Sequence, residues 1–122
     1  PPFPLLLIEP NDDSRLIFSA ALRHCGYAVT ESRDWAEAAA LARACTPALV
    51  VLGVSFPQQD AWAALQALKS APATADIPVL AVSSSAFPAD RARAMELGCA
   101  DFLAKPCPPA QLMAAARRHL PG

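Results

Sequence analysis

The chain has 122 residues, of which 54% are hydrophobic and 17% charged, with a formal net charge of −1. This length suits one domain, residues 1–122, with a real core, and the apolar content excludes a disordered chain. The balanced charge, without a long basic run, argues against a direct electrostatic grip on nucleic acid. The apolar opening from Phe3 to Ile8 is too short to cross a membrane and lacks the basic leader of a signal peptide. Cys25, Cys45, Cys99 and Cys107 show neither a CxxC pair nor Cys/His zinc spacing. They read as free thiols in a reducing, cytoplasmic setting. The chain starts at Pro1 rather than Met, as a piece excised from a longer protein would.

Short apolar runs alternate with amphipathic stretches, the pattern of βα units around a parallel sheet. The first strand is expected over Leu5 to Ile8. Asp12 or Asp13 is the expected cap of a helix whose apolar face carries Leu16, Ile17, Ala20 and Ala21, ended by Gly26. Tyr27 to Thr30 reads as a weaker second strand. Asp34, with Glu37 three residues on, resembles a capping box for a helix through Cys45 that turns Trp35, Ala38, Leu41 and Ala42 inward. Pro47 breaks that helix, and Ala48 to Leu52 is the expected central buried strand, with Gly53 directly after it.

A loop containing Pro57 follows, then a third helix capped by Asp60 with Trp62, Leu65 and Leu68 inward. The fourth strand is expected over Ile77 to Val82 and the fourth helix from Pro88 to Gly98. Asp101 to Ala104 makes a fifth strand. Pro108 or Pro109 opens a last helix bearing Leu112, Met113, Ala116 and Leu120. Five such units fit an α/β, flavodoxin-like doubly wound five-stranded parallel sheet in the order 2-1-3-4-5, with five helices. In that fold ligands sit beyond the carboxyl ends of the strands, where this chain has Glu9, Pro10, Gly53, Ser83 and Lys105.

Four stretches carry a resemblance that covers nearly the whole chain. They are Leu5-Leu6-Leu7-Ile8-Glu9-Pro10-Asn11; Leu49-Val50-Val51-Leu52-Gly53-Val54-Ser55-Phe56-Pro57; Ile77-Pro78-Val79-Leu80-Ala81-Val82-Ser83; and Gly98-Cys99-Ala100-Asp101-Phe102-Leu103-Ala104-Lys105-Pro106. Together they resemble the receiver domain of bacterial two-component response regulators, the CheY-like family. The resemblance implies an aspartate acceptor at position 53, an acidic pair at 9 and 10 that helps hold Mg²⁺, and a hydroxyl and a lysine at 83 and 105 that hold phosphoryl oxygens. Here Gly53 replaces the acceptor and Pro10 the second acid, while Glu9, Ser83 and Lys105 keep their types. The chain is therefore identified as a degenerate or pseudo-receiver, not an enzyme, with no cofactor and weak or absent Mg²⁺ binding.

Each residue also has a plainer reading. Glu9 is then a loop acid or a partner for Lys105, Ser83 a strand-end hydroxyl bonding backbone, and Gly53 a backbone requirement. The resemblance makes Lys105-Pro106 a cis bond and Phe102, with Ser83, the aromatic switch pair, here expected to hold one orientation. It also places an interaction face over Arg91, Ala94, Met95, Phe102, Gln111 and Arg118. The implied partners are proteins: a histidine kinase, an output domain or a second copy. Two alternatives stay open. One is a phosphorelay role through Asp12, Asp13 or a neighbouring competent receiver. The other is an anion sensor that uses the emptied pocket with Lys105 and Ser83. Serine catalysis by Ser83, Ser84 or Ser85 is disfavoured, because His24 and His119 are expected far from this edge.

Overall fold

The computed structural model describes residues 3–55, 58–85 and 87–120. The expected Pro57 loop, and with it Phe56 and Pro57 of the second stretch, lies outside the described residues. Strands and helices alternate as β1 (Pro4–Ile8), α1 (Asp12–His24), β2 (Ala28–Ser32), a 3-10 turn (Trp35–Glu37), α2 (Ala38–Cys45), β3 (Leu49–Val54), α3 (Gln58–Ser70), β4 (Val79–Ser83), α4 (Pro88–Glu96), β5 (Asp101–Ala104) and α5 (Pro109–His119). All neighbouring strands pair in parallel, in the order β2-β1-β3-β4-β5. This is the doubly wound, flavodoxin-like order expected from the alternation of elements.

Strand alternation divides the core into two layers. Leu6, Ile8, Val50, Leu52, Val54, Ala81 and Phe102 face Ala38, Ala42, Trp62, Leu65, Leu68 and Ala94 of α2, α3 and α4. Leu5, Leu7, Leu49, Val51, Leu80, Val82 and Leu103 face Phe18 and Leu22 of α1 and Leu112, Ala115 and Ala116 of α5. The inward residues expected on α2, α3 and α5 are buried or half-buried.

Helix α1 packs in a different phase from the expected one. Its buried residues are Phe18, Ser19 and Leu22, whereas Leu16 is 70% and Ile17 51% exposed, and Ala20 also faces solvent. The middle of the helix, Leu16 to Leu22, is apolar at every position but Ser19, and the stripe that includes Phe18 and Leu22 goes to the sheet. Asn11, not Asp12 or Asp13, caps this helix: its Oδ1 accepts from the Ser14 N–H at 2.8 Å. Asp12 is engaged instead by Arg15 at 2.6 Å and Arg33 at 3.6 Å.

Asp34 caps the 3-10 turn, accepting from the Ala36 N–H at 2.9 Å. The reciprocal half of the capping box is rerouted. Glu37 accepts from Ser32 Oγ at 3.0 Å, and Ser32 Oγ accepts from the Asp34 N–H at 3.1 Å. Asp60 is the third residue of α3 rather than its cap. Strand β2 begins at Ala28 and runs on to Ser32, because it pairs with β1 along its full length. β3 likewise runs through Gly53 to Val54, because both residues pair with Val82 and Ser83 of β4. Gly53 is thus a strand residue, not the first residue after one.

Gly98, which follows the end of α4, has φ 103°, a backbone that side chains rarely allow. A Cβ there would lie 3.3 Å from Lys69 Cγ. Lys69 is not free to yield, since its Nζ donates to the carbonyls of Ala75 at 3.1 Å and Ile77 at 2.6 Å. Gly98→Ala is expected to lower unfolding stability by about 1–3 kcal/mol. An unchanged urea midpoint would contradict this account.

Candidate functional site

Register builds the site. Ile8 is paired with Leu52, so the next residues, Glu9 and Gly53, lie side by side where β1 and β3 end. Val54 is paired with Ser83, and Ser83 with Ala104, which brings Lys105 to the same edge from the far side. The structure therefore brings Glu9, Gly53, Ser83 and Lys105 together at the carboxyl edge of the sheet. Pro10 follows Glu9 and supplies neither a carboxylate nor an N–H.

Glu9 is fully buried. Lys105 Nζ lies 2.7 Å from its Oε1, and the Asn11 N–H donates to Oε2 at 3.1 Å. The lysine contact is an ion pair by distance but is not aligned as a hydrogen bond, so Oε1 has a charge partner and no hydrogen-bond donor among the described residues. The backbone of Glu9 is held as firmly. Its N–H donates to the Ser32 carbonyl at 2.9 Å and its carbonyl accepts from Arg15 at 2.9 Å.

The volume beside Gly53 is occupied. A Cβ built on Gly53 would fall on the Glu9 carboxylate, 2.7 Å from Oε2 and closer still to Oε1 and Cδ. The sequence suggested that losing a side chain here would open space, but the Glu9 carboxylate fills it. The Gly53 carbonyl accepts from Trp35 Nε1 at 2.8 Å. Sequence reasoning assigned Trp35 to packing alone. The available signal was that an indole N–H near the sheet needs an acceptor when its ring is partly buried.

Ser83 is fully buried, and its Oγ accepts from the Ser85 N–H at 3.0 Å. Its carbonyl accepts from the Lys105 N–H at 2.7 Å. Ser84 turns outward, while its N–H donates to the Val54 carbonyl at 3.0 Å. Ser85 Oγ donates to Asp90 Oδ2. The Lys105-Pro106 peptide is cis. Beside the lysine lies a cleft of about 420 Å³ walled by Ser14, Ile17, Phe18, Ser84, Pro106 and Cys107.

Of the expected interaction face, Arg91, Met95, Gln111 and Arg118 are exposed. Ala94 is fully buried and Phe102 is 4% exposed, so these two lie beneath that face because both pack into the core with α3. Arg91 NH1 donates to the Phe102 carbonyl at 3.2 Å. At the start of β5, Asp101 accepts from Arg118 at 2.8 Å and from the Phe102 N–H at 2.9 Å, and lies 3.3 Å from His119 Nε2.

His119 is therefore engaged at the opposite end of β5 from Lys105, away from the serines, and His24 closes α1. Cys99 and Cys107 are buried, Cys45 is half-buried and Cys25 exposed, all four as free thiols. Burial pushes the Cys99 thiol up to about 12, against the opposing pull of Lys69, which leaves it a poor nucleophile. Among the described residues no group of three His, Cys, Asp or Glu side chains is placed to hold a metal. No helix among them is long and apolar enough to cross a membrane.

A family model described as the response regulator receiver domain matches residues 5–117. The chain belongs to that family. Among curated relatives, the receiver domain is 33% identical over 101 residues to the gliding motility regulatory protein of Myxococcus xanthus, covering 83% of this chain and 13% of that protein. It is 31% identical over 116 residues to the transcriptional regulatory protein HprR of Escherichia coli, covering 95% of this chain and 51% of the other. This chain thus spans about half, or much less, of the length of such relatives. Among solved structures, the receiver domain of sensor histidine kinase PA1611 from Pseudomonas aeruginosa superposes with a TM-score of 0.87 at 26% identity, covering 98% of each chain. That protein has a magnesium ion coordinated in its active-site cleft. Chemotaxis protein CheY4 of Vibrio cholerae gives a TM-score of 0.90 at 22% identity, covering 98% of this chain and all of that one, a likeness of fold.

Burial alone would raise the Asp101 pKa. Hydrogen bonds from Arg118, the Phe102 N–H and His119 outweigh it and hold the carboxyl below its ordinary value. A folded-state pKa below the unfolded one adds stability that is present above the ordinary value of 3.8 and lost as pH falls through the lowered folded value. The stability difference between the wild type and Asp101→Asn is expected to be largest above the carboxylate range and to shrink in acid. A pH-independent difference in urea unfolding would contradict this.

Proposed function

We propose that this receiver domain acts in two-component signalling through protein–protein contact and does not itself accept a phosphoryl group. One observation carries the reading. The residue expected to bear the acceptor carboxylate is Gly53, and the space beside it holds the Glu9 carboxylate, already paired with Lys105.

The chemistry supports this. An acyl phosphate forms on a carboxylate oxygen free to attack, with Mg²⁺ neutralising the incoming phosphoryl oxygens. Mg²⁺ dehydrates reluctantly and needs several oxygen ligands in octahedral array. The donors at this edge do not fit it. Of Glu9, Pro10, Gly53, Ser83 and Lys105, Glu9 alone carries a carboxylate; its Oε1 meets an ammonium and its Oε2 a backbone N–H, and Pro10 and Gly53 offer no side-chain oxygen. Mg²⁺ binding is accordingly weak or absent. The same filling disfavours an anion sensor at this point, because an incoming anion meets a carboxylate and a lysine that is already neutralised.

Asp12 is a poor substitute acceptor. Hydrogen bonding to Arg15, with the charge of Arg33, holds its carboxyl below the usual range and ties it to the helix surface. The domain is therefore read as a pseudo-receiver and a non-enzymatic module. It presents Arg91, Met95, Gln111 and Arg118 to a histidine kinase, an output domain or a second copy.

Incubation with Mg²⁺ and acetyl phosphate is expected to leave the intact mass unchanged. A stoichiometric, base-labile adduct of one phosphoryl group would overturn the reading, and its position by peptide mapping would say whether Asp12, Asp13 or Glu9 had carried it.

A further inference from the structure

We propose that Glu9, Pro10 and Gly53 form one coordinated unit in which Glu9 is the resident carboxylate of the site. It positions Lys105 and closes the pocket to phosphate-like anions. The inference deepens the reading of a receiver that does not accept phosphate. It turns what looks like two separate losses in the sequence into a single replacement.

The geometry points to Glu9 as a tenant rather than a relic. A fully buried carboxylate is destabilising unless its oxygens are compensated. Here Oε1 faces the Lys105 ammonium at 2.7 Å and Oε2 takes the Asn11 N–H at 3.1 Å. The backbone on both sides of Cα is also bonded, to Ser32 and to Arg15. Pro10 biases the residue before it to extended backbone, which keeps Glu9 on the line of β1 and its side chain over Gly53. Gly53 completes the fit, because any Cβ at that position would overlap the carboxylate. Glycine is therefore what this arrangement requires, beyond being what the acceptor has been reduced to.

Two consequences follow for binding. Lys105, tied at its N–H to Ser83 and at its Nζ to Glu9, links β5 to β1 across the site. A phosphate-like anion would have to displace a buried carboxylate from that ammonium, and would meet like charge while doing so. Glu9 thus sets what the pocket refuses.

The test is a set of paired variants read by thermal unfolding with and without inorganic phosphate. Gly53→Ala alone is expected to lower Tm by about 5 °C or more. In a Glu9→Ala background the same change should have little effect, while in Glu9→Gln, which keeps the bulk and loses the charge, the penalty should remain. Wild type should show no saturable phosphate shift. Glu9→Ala and Glu9→Gln should each gain one, and adding Lys105→Met should abolish it. Additive effects of Gly53→Ala and Glu9→Ala would overturn the proposal, as would a phosphate response in wild type or none in either Glu9 variant. If Glu9→Ala does not fold, the phosphate response of Glu9→Gln decides. None of these readouts involves phosphoryl transfer. A wild type phosphorylated at Asp12 or Asp13 with the coupling intact would sink only the functional reading, and a lost coupling in an unphosphorylated protein would sink only this one.

Discussion

The burial of β3 on both faces is the constraint from which the rest of the domain follows. All six of its residues, Leu49 to Val54, are inaccessible to solvent, so neither face tolerates a slip in register. One side packs on α2, α3 and α4, the other on α1 and α5. Parallel pairing with β1 and β4 then fixes which residues meet at the carboxyl edge. Glu9 comes beside Gly53 and Ser83 beside Val54 because the register one residue below them pairs Ile8 with Leu52 and Val82 with Gly53.

At that edge the space beside Gly53, where an acceptor side chain was expected, is filled from the neighbouring strand. Removing a side chain from a buried position leaves either a cavity or a rearrangement that fills it. Here the filling group is charged, and it brings its own counter-charge from β5. The result is a compact polar contact between the first and last strands of the chain. The lysine and the hydroxyl expected from the resemblance to hold phosphoryl oxygens both have intramolecular partners here. Lys105 serves Glu9, and the Ser83 hydroxyl serves the Ser85 N–H.

Much of this was legible in the sequence, and the rest was hidden for identifiable reasons. The five strands, their order and the edge positions followed from apolar runs and turn residues, whose periodicity leaves little choice in a parallel sheet. The face of α1 did not, because Leu16 to Phe18 and Ala20 to Leu22 are apolar on nearly every side, and only packing selects Phe18 and Leu22. The cap of α1 shifted to Asn11 and half of the capping box at Asp34 was rerouted, because several short polar side chains compete within a few residues. Asn11 took the role expected of Asp12 or Asp13, and Ser32 the one expected of Glu37. Residue types at the site were read directly. That the Glu9 carboxylate lies over Gly53 was not, since a one-dimensional pattern records which groups reach an edge and not which volume each one fills.

The hydrogen bond from the Trp35 indole to the Gly53 carbonyl ties the turn ahead of α2 to the backbone at the heart of the site. Its consequence is optical. An indole ring reports the polarity and hydrogen bonding around its N–H in its emission, and this N–H touches no side chain of the site, only the main chain of its central strand. With Trp62 replaced, the emission of Trp35 would serve as an intrinsic probe of where the end of β3 lies.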